Sequence, residues 1–321
     1  MRIVRIAAVI VCALSVAHLS AQQRGQGRGG RGAPQAPATD TVATAIPGVV
    51  AAGTPVTVIK EGFQGTEGPI TLPDGSLIFT EPGANRISKI DKDGNVSVFL
   101  ENTNSSNGLA FDAKGRLIST QTAAGQERIG VVYPKGSEAT LAEKFGRPND
   151  LVVNKAGGIY FTAPGASPAV FYIPPGGAAV KVNEDIENPN GIQLSRDEKV
   201  LYVNNTRGEY MLAFDIQPDG KLANKRNFAQ YQGVTKSDTG VASGADGIAI
   251  DNDGRVYAAI NSTGGVQVFS PEGKYLGTIP TSLGAQNLAF AGPDKKTLYI
   301  VGRGAAFKVQ LLAQGYKGRA K

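Results

Sequence analysis

Cysteine, histidine and tryptophan are almost missing from this chain of 321 residues: one Cys, one His and no Trp. Both Cys12 and His18 fall within the first 21 residues, MRIVRIAAVIVCALSVAHLSA. That segment carries Arg2 and Arg5, an apolar run from Ile6 to Leu14, and a small-residue close at Leu19-Ser20-Ala21. This is the grammar of a secretory signal peptide, and its apolar run is too short for a permanent membrane span. The expected mature chain therefore lacks both Cys and His. Disulfides, thiol nucleophiles, Ser-His-Asp triads, Cys/His zinc sites and haem ligation by either residue are all excluded. Cys12 follows Val9-Ile10-Val11, a poor context for lipid attachment, so the expectation is a secreted or periplasmic protein with no membrane association after cleavage.

A concentrated positive charge is also lacking. The chain is +6 overall, but Arg2 and Arg5 lie in the leader, and Arg24, Arg28 and Arg31 lie just after it, with Asp40 as the acidic residue of that stretch. From Thr41 onward the excess is two charges, which argues against a nucleic-acid face. Residues 22–45, rich in Gly, Gln, Ala, Pro and Arg, have little to bury and are expected to form a flexible linker. No amphipathic helical stretch of any length follows; Thr281 to Leu288 and the C-terminal tail are the nearest to one.

What the chain has is a repeat. Six segments align: TEGPITLPDGSLIFTE from Thr66, SNGLAFDAKGRLISTQ from Ser106, PNDLVVNKAGGIYFTA from Pro148, PNGIQLSRDEKVLYVN from Pro189, ADGIAIDNDGRVYAAI from Ala245 and AQNLAFAGPDKKTLYIV from Ala285. Each gives a polar residue, a short apolar strand, a turn and a second apolar strand. Most turns hold the Gly or Asp that a tight hairpin requires. A third strand and another turn follow in most copies. Four short strands per unit of about forty residues predict an all-β, six-bladed β-propeller with four antiparallel strands per blade, over residues 46–321. A seven-bladed ring with one degenerate blade is the alternative. Val56-Thr57-Val58-Ile59, ahead of the first repeat, is expected to close the ring as the outer strand of the last blade.

One polar position per blade stands immediately before the inner strand: Glu67, Asn107, Asn149, Asn190, Asp246 and Gln286, at spacings of 40, 42, 41, 56 and 40. Inner strands surround the propeller axis, so these six positions are expected to converge on one face. Two carboxylates and four amides are an oxygen-donor inventory, which suits a hard divalent cation. A cation would also relieve repulsion between the two acidic groups. Turn formation is the competing reason for Asn-Gly and Asp-Gly here. Against it, Glu67 and Gln286 are not turn residues, and a turn has no need to be polar in every copy.

In order and phase, Glu67-Gly68-Pro69, Arg147-Pro148-Asn149-Asp150, Pro189-Asn190-Gly191 and Asp246-Gly247 resemble the gluconolactonase / senescence-marker-protein (regucalcin) family, over roughly Val49 to Leu312. The resemblance implies a metal-dependent hydrolase of sugar lactones or related esters. It implies Glu67, Asn190 and Asp246 as metal ligands, with Asp246 also the base, and Asn149 as a fourth ligand or a substrate contact. It places Arg147 and Asp150 toward a small-molecule lactone or ester; Asn107 is a further candidate contact with no firm role to transfer. Ca²⁺ is the expected cation, with Zn²⁺, Mg²⁺ and Mn²⁺ admitted. The histidines of some phosphotriesterase relatives are absent, which counts against that activity. The alternative is a non-catalytic propeller that binds a ligand or protein partner and keeps a structural cation. Loops at Glu81 to Arg86, Gln121 to Arg128, Ala163 to Ala169 and Asn205 to Glu209, and the insertion Asn227 to Gly244, are expected to border the site. In the insertion, Tyr231, Lys236 and Ser243 are candidate substrate contacts.

Overall fold

The computed structural model describes residues 35–238 and 240–319. The expected signal peptide and most of the expected linker lie outside them. The unit from Pro37 onward is a six-bladed β-propeller of four-stranded antiparallel blades. Blade 1 comprises Glu67–Thr71, Leu77–Glu81, Arg86–Ile90 and Val96–Glu101. Blade 2 comprises Ser106–Phe111, Leu117–Gln121, Arg128–Tyr133 and Ala139–Glu143; blade 3 comprises Leu151–Val153, Ile159–Ala163, Ala169–Ile173 and Val180–Asn183. Blade 4 is Pro189–Leu194, Val200–Asn205, Tyr210–Ile216 and Leu222–Gln230, and blade 5 is Ala245–Ile250, Val256–Ile260, Gly265–Phe269 and Tyr275–Pro280. Blade 6 takes Asn287–Ala291, Thr297–Gly302 and Ala305–Gln310 from one end of the chain and Pro55–Glu61 from the other. That closing strand includes the expected Val56–Ile59 and pairs Val56 with Val309.

The hairpin turns after the inner strands explain the repeat's punctuation. Asp74, Asp112, Asp251 and Asp294 each accept a backbone N–H two residues on, which closes the turn from the side chain. Gly75, Gly115, Gly157 and Gly254 follow with φ between +74° and +88°, where a Cβ is disfavoured. Glu198 and Lys295 take that left-handed place in blades 4 and 6.

Apolar side chains on the two faces of each blade meet those of its neighbours. Six clusters result, one per interface. Leu77 and Phe79 of blade 1, for example, pack on Ala289, Tyr299 and Val301 of blade 6. Strands covered on both faces need no polar alternation, so second strands such as LIFTE and IYFTA are buried throughout.

The compact unit begins earlier than composition indicates. Thr41–Val42 adds a fifth strand beside Pro55–Val56, Ala43 is buried, and Thr41 Oγ1 donates to Pro280 O at 2.7 Å. Residues 37–45 thus pack on blades 5 and 6 instead of belonging to the linker. The average over 22–45 hid the apolar residues at its end. Thr281 to Leu288 is not helical: among the described residues, helix occurs only as the two 3₁₀ turns Pro82–Ala84 and Asn261–Thr263.

Candidate active site

The six pre-strand positions form a closed ring. Gly108 N donates to Asn149 O at 3.0 Å, and Gly247 N donates to Gln286 O at 2.8 Å. Thr80 Oγ1 donates to Asn107 O, Thr120 Oγ1 to Asn149 O and Thr162 Oγ1 to Asn190 O, at 2.8, 2.6 and 2.6 Å. Asn204 Nδ2 donates to Asp246 O. Gln286 Nε2 closes the circuit on Glu67 Oε1 at 3.1 Å. Each link joins one blade to the next, so residues about forty places apart do meet around the axis.

Close approach explains the glycine that follows most of these positions. A Cβ on Gly68 would lie 2.1 Å from Asn107 O, one on Gly191 2.0 Å from Asp246 O, and one on Gly247 2.0 Å from Asn287 Oδ1. Such distances are inside van der Waals contact, so inner strands reach this proximity only without a side chain there. In blades 3 and 6 the same place holds Asp150 and Asn287, each lying against the preceding blade's glycine, Gly108 and Gly247.

The side chains differ in what answers them. Glu67 is 8% exposed, and its two oxygens accept from Gln286 Nε2 and Asn287 Nδ2. Asn190 Nδ2 donates to Thr206 Oγ1 at 3.1 Å, while Asn190 Oδ1 is buried with no hydrogen-bond donor among the described residues. Asn107 Oδ1 is likewise buried without a donor. Asp246 is half-buried and so is Asn149. Two buried amide oxygens left without a donor are costly unless something electropositive meets them. Among the described residues no three His, Cys, Asp or Glu side chains gather. The ring positions instead carry two carboxylates and four side-chain amides, a donor chemistry that fits Ca²⁺ or Mg²⁺.

Arg147 is exposed, on the connection that leads to Asn149. Asp150 is placed differently from the expectation of a substrate-facing carboxylate. It is 1% exposed, and its Oδ1 accepts from Leu151 N at 2.9 Å and lies over Gly108. It forms part of the ring's wall at the start of blade 3. Asn287 repeats this arrangement on Leu288 N in blade 6.

The insertion before Asp246 also corrects the sequence reading. Its first residues, 227–230, continue the outer strand of blade 4. Tyr231 is buried, and its hydroxyl donates to Asn204 Oδ1 at 2.8 Å. Ser243 is buried, with its hydroxyl directed at Asn205 O and Thr206 O. Neither is presented to a substrate. Lys236 is exposed and paired with Glu209 at 2.6 Å. Of the bordering loops, Glu81 to Arg86 is pinned by its own ends: buried Glu81 accepts from Arg86 at 2.8 Å, Ser88 at 2.5 Å and Gln64 N at 3.0 Å. Burial pushes the Glu81 carboxyl up, but these donors outweigh it and hold it below the ordinary value.

Sequence reasoning missed Asn204, Thr206, Asn287 and the threonines that bind neighbouring carbonyls. A signal existed for the threonines. Thr80, Thr120 and Thr162 each stand 13 residues after Glu67, Asn107 and Asn149, at the fourth position of the second strand.

A family model described as SMP-30/Gluconolactonase/LRE-like region matches residues 65–303, the span that holds the entire ring. The chain belongs to this family. It is 28% identical over 285 residues to the gluconolactonase of Zymomonas mobilis, covering 77% of this chain and 78% of that one. The solved gluconolactonase of Xanthomonas campestris is 27% identical with a TM-score of 0.72, covering 87% of this chain and 98% of its own. Regucalcin of Agrobacterium tumefaciens, a calcium-binding protein, is similar in fold at 18% identity and a TM-score of 0.69, covering 81% and 94%. These lactonase relatives support a lactone hydrolase role for this chain.

Proposed function

We propose that this family member is an exported, metal-dependent hydrolase of sugar lactones or related esters, with Asp246 as its base. The observation that carries the reading is the ring itself: Glu67 and Asp246 in one circuit with the donor-free Oδ1 atoms of Asn107 and Asn190. Glu67, Asn190 and Asp246, with Asn149 as the fourth member, would hold the cation. Ca²⁺ suits this all-oxygen set first, with Mg²⁺, Mn²⁺ and Zn²⁺ as the other choices. When bound, such a cation supplies a Lewis acid for the substrate carbonyl and offsets the negative charge that develops on its oxygen.

The chain's own groups do the rest. Thr206 takes the Asn190 amide hydrogen, so Asn190 presents oxygen and not nitrogen to the ring. Asp246 accepts a proton as water attacks the lactone carbonyl carbon; the ring C–O bond breaks, its oxygen is protonated, and a hydroxy acid leaves. A carboxylate that also serves a cation is a weak base, which suits an activated ester better than an amide. Arg147 has the fork of donors to hold a substrate hydroxyl or carboxylate, and Asn107 lies in the same ring to orient the substrate. Export rests on the leader of residues 1–21.

The test is hydrolysis of a panel of aldonolactones and simple esters, with and without chelator, by the parent and Asp246→Asn. Chelator should abolish turnover, added Ca²⁺ should restore it, and Asp246→Asn should lower kcat by about a hundredfold or more. A chelator-insensitive parent, or an Asp246→Asn variant as fast as the parent, overturns the reading.

A further inference from the structure

We propose that Tyr231 and Asn204 are positioning residues for Asp246: the phenol sets which way the Asn204 amide faces, and that amide holds the backbone that presents the Asp246 carboxylate. The inference rests on the reading of Asp246 as the base, and deepens it by giving the long insertion a task.

In blades 1 to 3 the side chain that binds the next blade's ring carbonyl is a threonine, Thr80, Thr120 or Thr162. A hydroxyl rotates freely and needs no help to aim its hydrogen. In blade 4 the corresponding residue is Asn204, wholly buried between the second strand and Asp246. An amide has two opposed orientations of similar shape, and only one directs nitrogen at a carbonyl. The Tyr231 hydroxyl decides between them. It donates to Asn204 Oδ1 at 2.8 Å, leaving Asn204 Nδ2 for Asp246 O and, at 3.4 Å, Gly247 O. Burial pushes the Tyr231 phenol well above its ordinary pKa, so it remains a donor under working conditions.

The phenol is itself fixed. Tyr231 N donates to Glu209 O at 2.9 Å, and the ring meets Phe269 edge-on with centroids 6.5 Å apart. The next residue, Gln232, exchanges two hydrogen bonds with the buried Gln267 side chain of blade 5, at 2.9 and 2.7 Å. On the other side of the Asp246 peptide, Thr206 Oγ1 donates to Ala245 O at 2.8 Å. Consecutive carbonyls are thus tied to the end of the second strand of blade 4 and the turn that follows it, where the register of blade 5 shifts between Ala245 and Ile248. A bulge of this kind re-aims a side chain, and its geometry needs outside support. The insertion therefore acts as a buttress for the site from below its surface.

The experiment compares the parent, Tyr231→Phe, Asn204→Thr and the double variant in lactone hydrolysis. Tyr231→Phe keeps the ring and removes only the hydroxyl. It should lower kcat about tenfold with KM within about twofold, the size expected when support for a site residue is lost. Asn204→Thr rebuilds the blade 1–3 arrangement, which needs no aiming, so Tyr231→Phe should cost nothing further in that background. A Tyr231→Phe variant with parental kcat overturns the proposal. So does an equal loss in both backgrounds, because that effect would come from loop packing. If the parent hydrolyses no lactone, the functional reading fails, and the crystal structure of Tyr231→Phe decides the positioning claim. Loss of the Asn204–Asp246 contact sustains it, and an unchanged contact ends it.

Discussion

The ring is built in two different ways around its circumference. From blade 1 to blade 5, a hydroxyl or amide on each second strand binds the ring carbonyl of the next blade: Thr80 to Asn107, Thr120 to Asn149, Thr162 to Asn190, Asn204 to Asp246. From blade 5 back to blade 1 the corresponding residues are Ala259 and Val301, which have no side-chain donor. There the closure uses long amides on a carboxylate, Gln286 and Asn287 on Glu67. The first arc holds its members by their backbone carbonyls. The second holds Glu67 by its side chain. The two acidic residues therefore differ in their links to the neighbouring blade: Asp246 is joined through its backbone carbonyl, and Glu67 through its carboxylate.

The strongest way to break this comparison is to push the first arc apart. Gly191→Ala would set a methyl carbon 2.0 Å from Asp246 O, against backbone that cannot swing away. Overpacking of this kind costs about 1–3 kcal/mol, and a contact with a strand carbonyl belongs at the upper end. Urea denaturation should show a loss near about 3 kcal/mol, with lactone hydrolysis lost alongside it. Gly115→Ala is the control: it meets nothing within 4 Å and carries only the strain of φ +74°, about 1 kcal/mol. If the two variants unfold together, close approach is not what demands the ring glycines.

A smaller effect separates the threonines from their surroundings. Thr162→Val keeps shape and removes the donor to Asn190 O. It leaves Asn190 O without its only side-chain donor among the described residues and takes from Asp150 N the hydroxyl it donates to at 3.2 Å, and a buried polar group left unmet costs about 1–3 kcal/mol. The expected loss of about 1–2 kcal/mol in denaturant unfolding should come with weakened Ca²⁺ binding, because Asn190 is a proposed ligand. Val301, already apolar in the equivalent place, shows that the fold tolerates the absence elsewhere. A Thr162→Val variant as stable as the parent would make the two arcs equivalent.

The fold was legible because propeller physics leaves a periodic record. Turn residues, strand length and the polar position before each inner strand recur at one period, so six blades, their closing strand and the ring positions could be read directly. What escaped reading depends on contacts between blades. Nothing in the order of residues says that Thr80 reaches Asn107, 27 positions away, or that the glycine after a ring residue exists to admit its neighbour's carbonyl. An insertion near a site suggests exposure for Tyr231 and Ser243, whereas both side chains turn inward and donate to an amide oxygen and backbone carbonyls. The resemblance implies a substrate-facing Asp150, while its place at the strand start, shared with Asn287, sets it against a neighbouring glycine. The start of the packed unit escapes composition for a plainer reason: Val42 and Ala43 follow a long polar stretch and vanish in its average.

The finest test extends the first arc into the second. Gln286 O already accepts from Gly247 N at 2.8 Å, as Asn149 O accepts from Gly108 N at 3.0 Å. In blade 2 that carbonyl takes a second hydrogen bond from Thr120; in blade 5 the place is held by Ala259, fully buried. Ala259→Ser adds one hydroxyl there and no branch, so overpacking is kept to a single atom. If the carbonyl links stiffen the ring, the added hydroxyl should donate to Gln286 O and raise stability by up to about 1 kcal/mol, the net worth of one such bond. Denaturant unfolding of the variant beside the parent reads the difference. A loss of stability would mean that blade 5 has no room for the added atom. The apolar pair Ala259 and Val301 would then be a packing requirement of the second arc, and the amides on Glu67 would stand in for the side-chain donors it lacks.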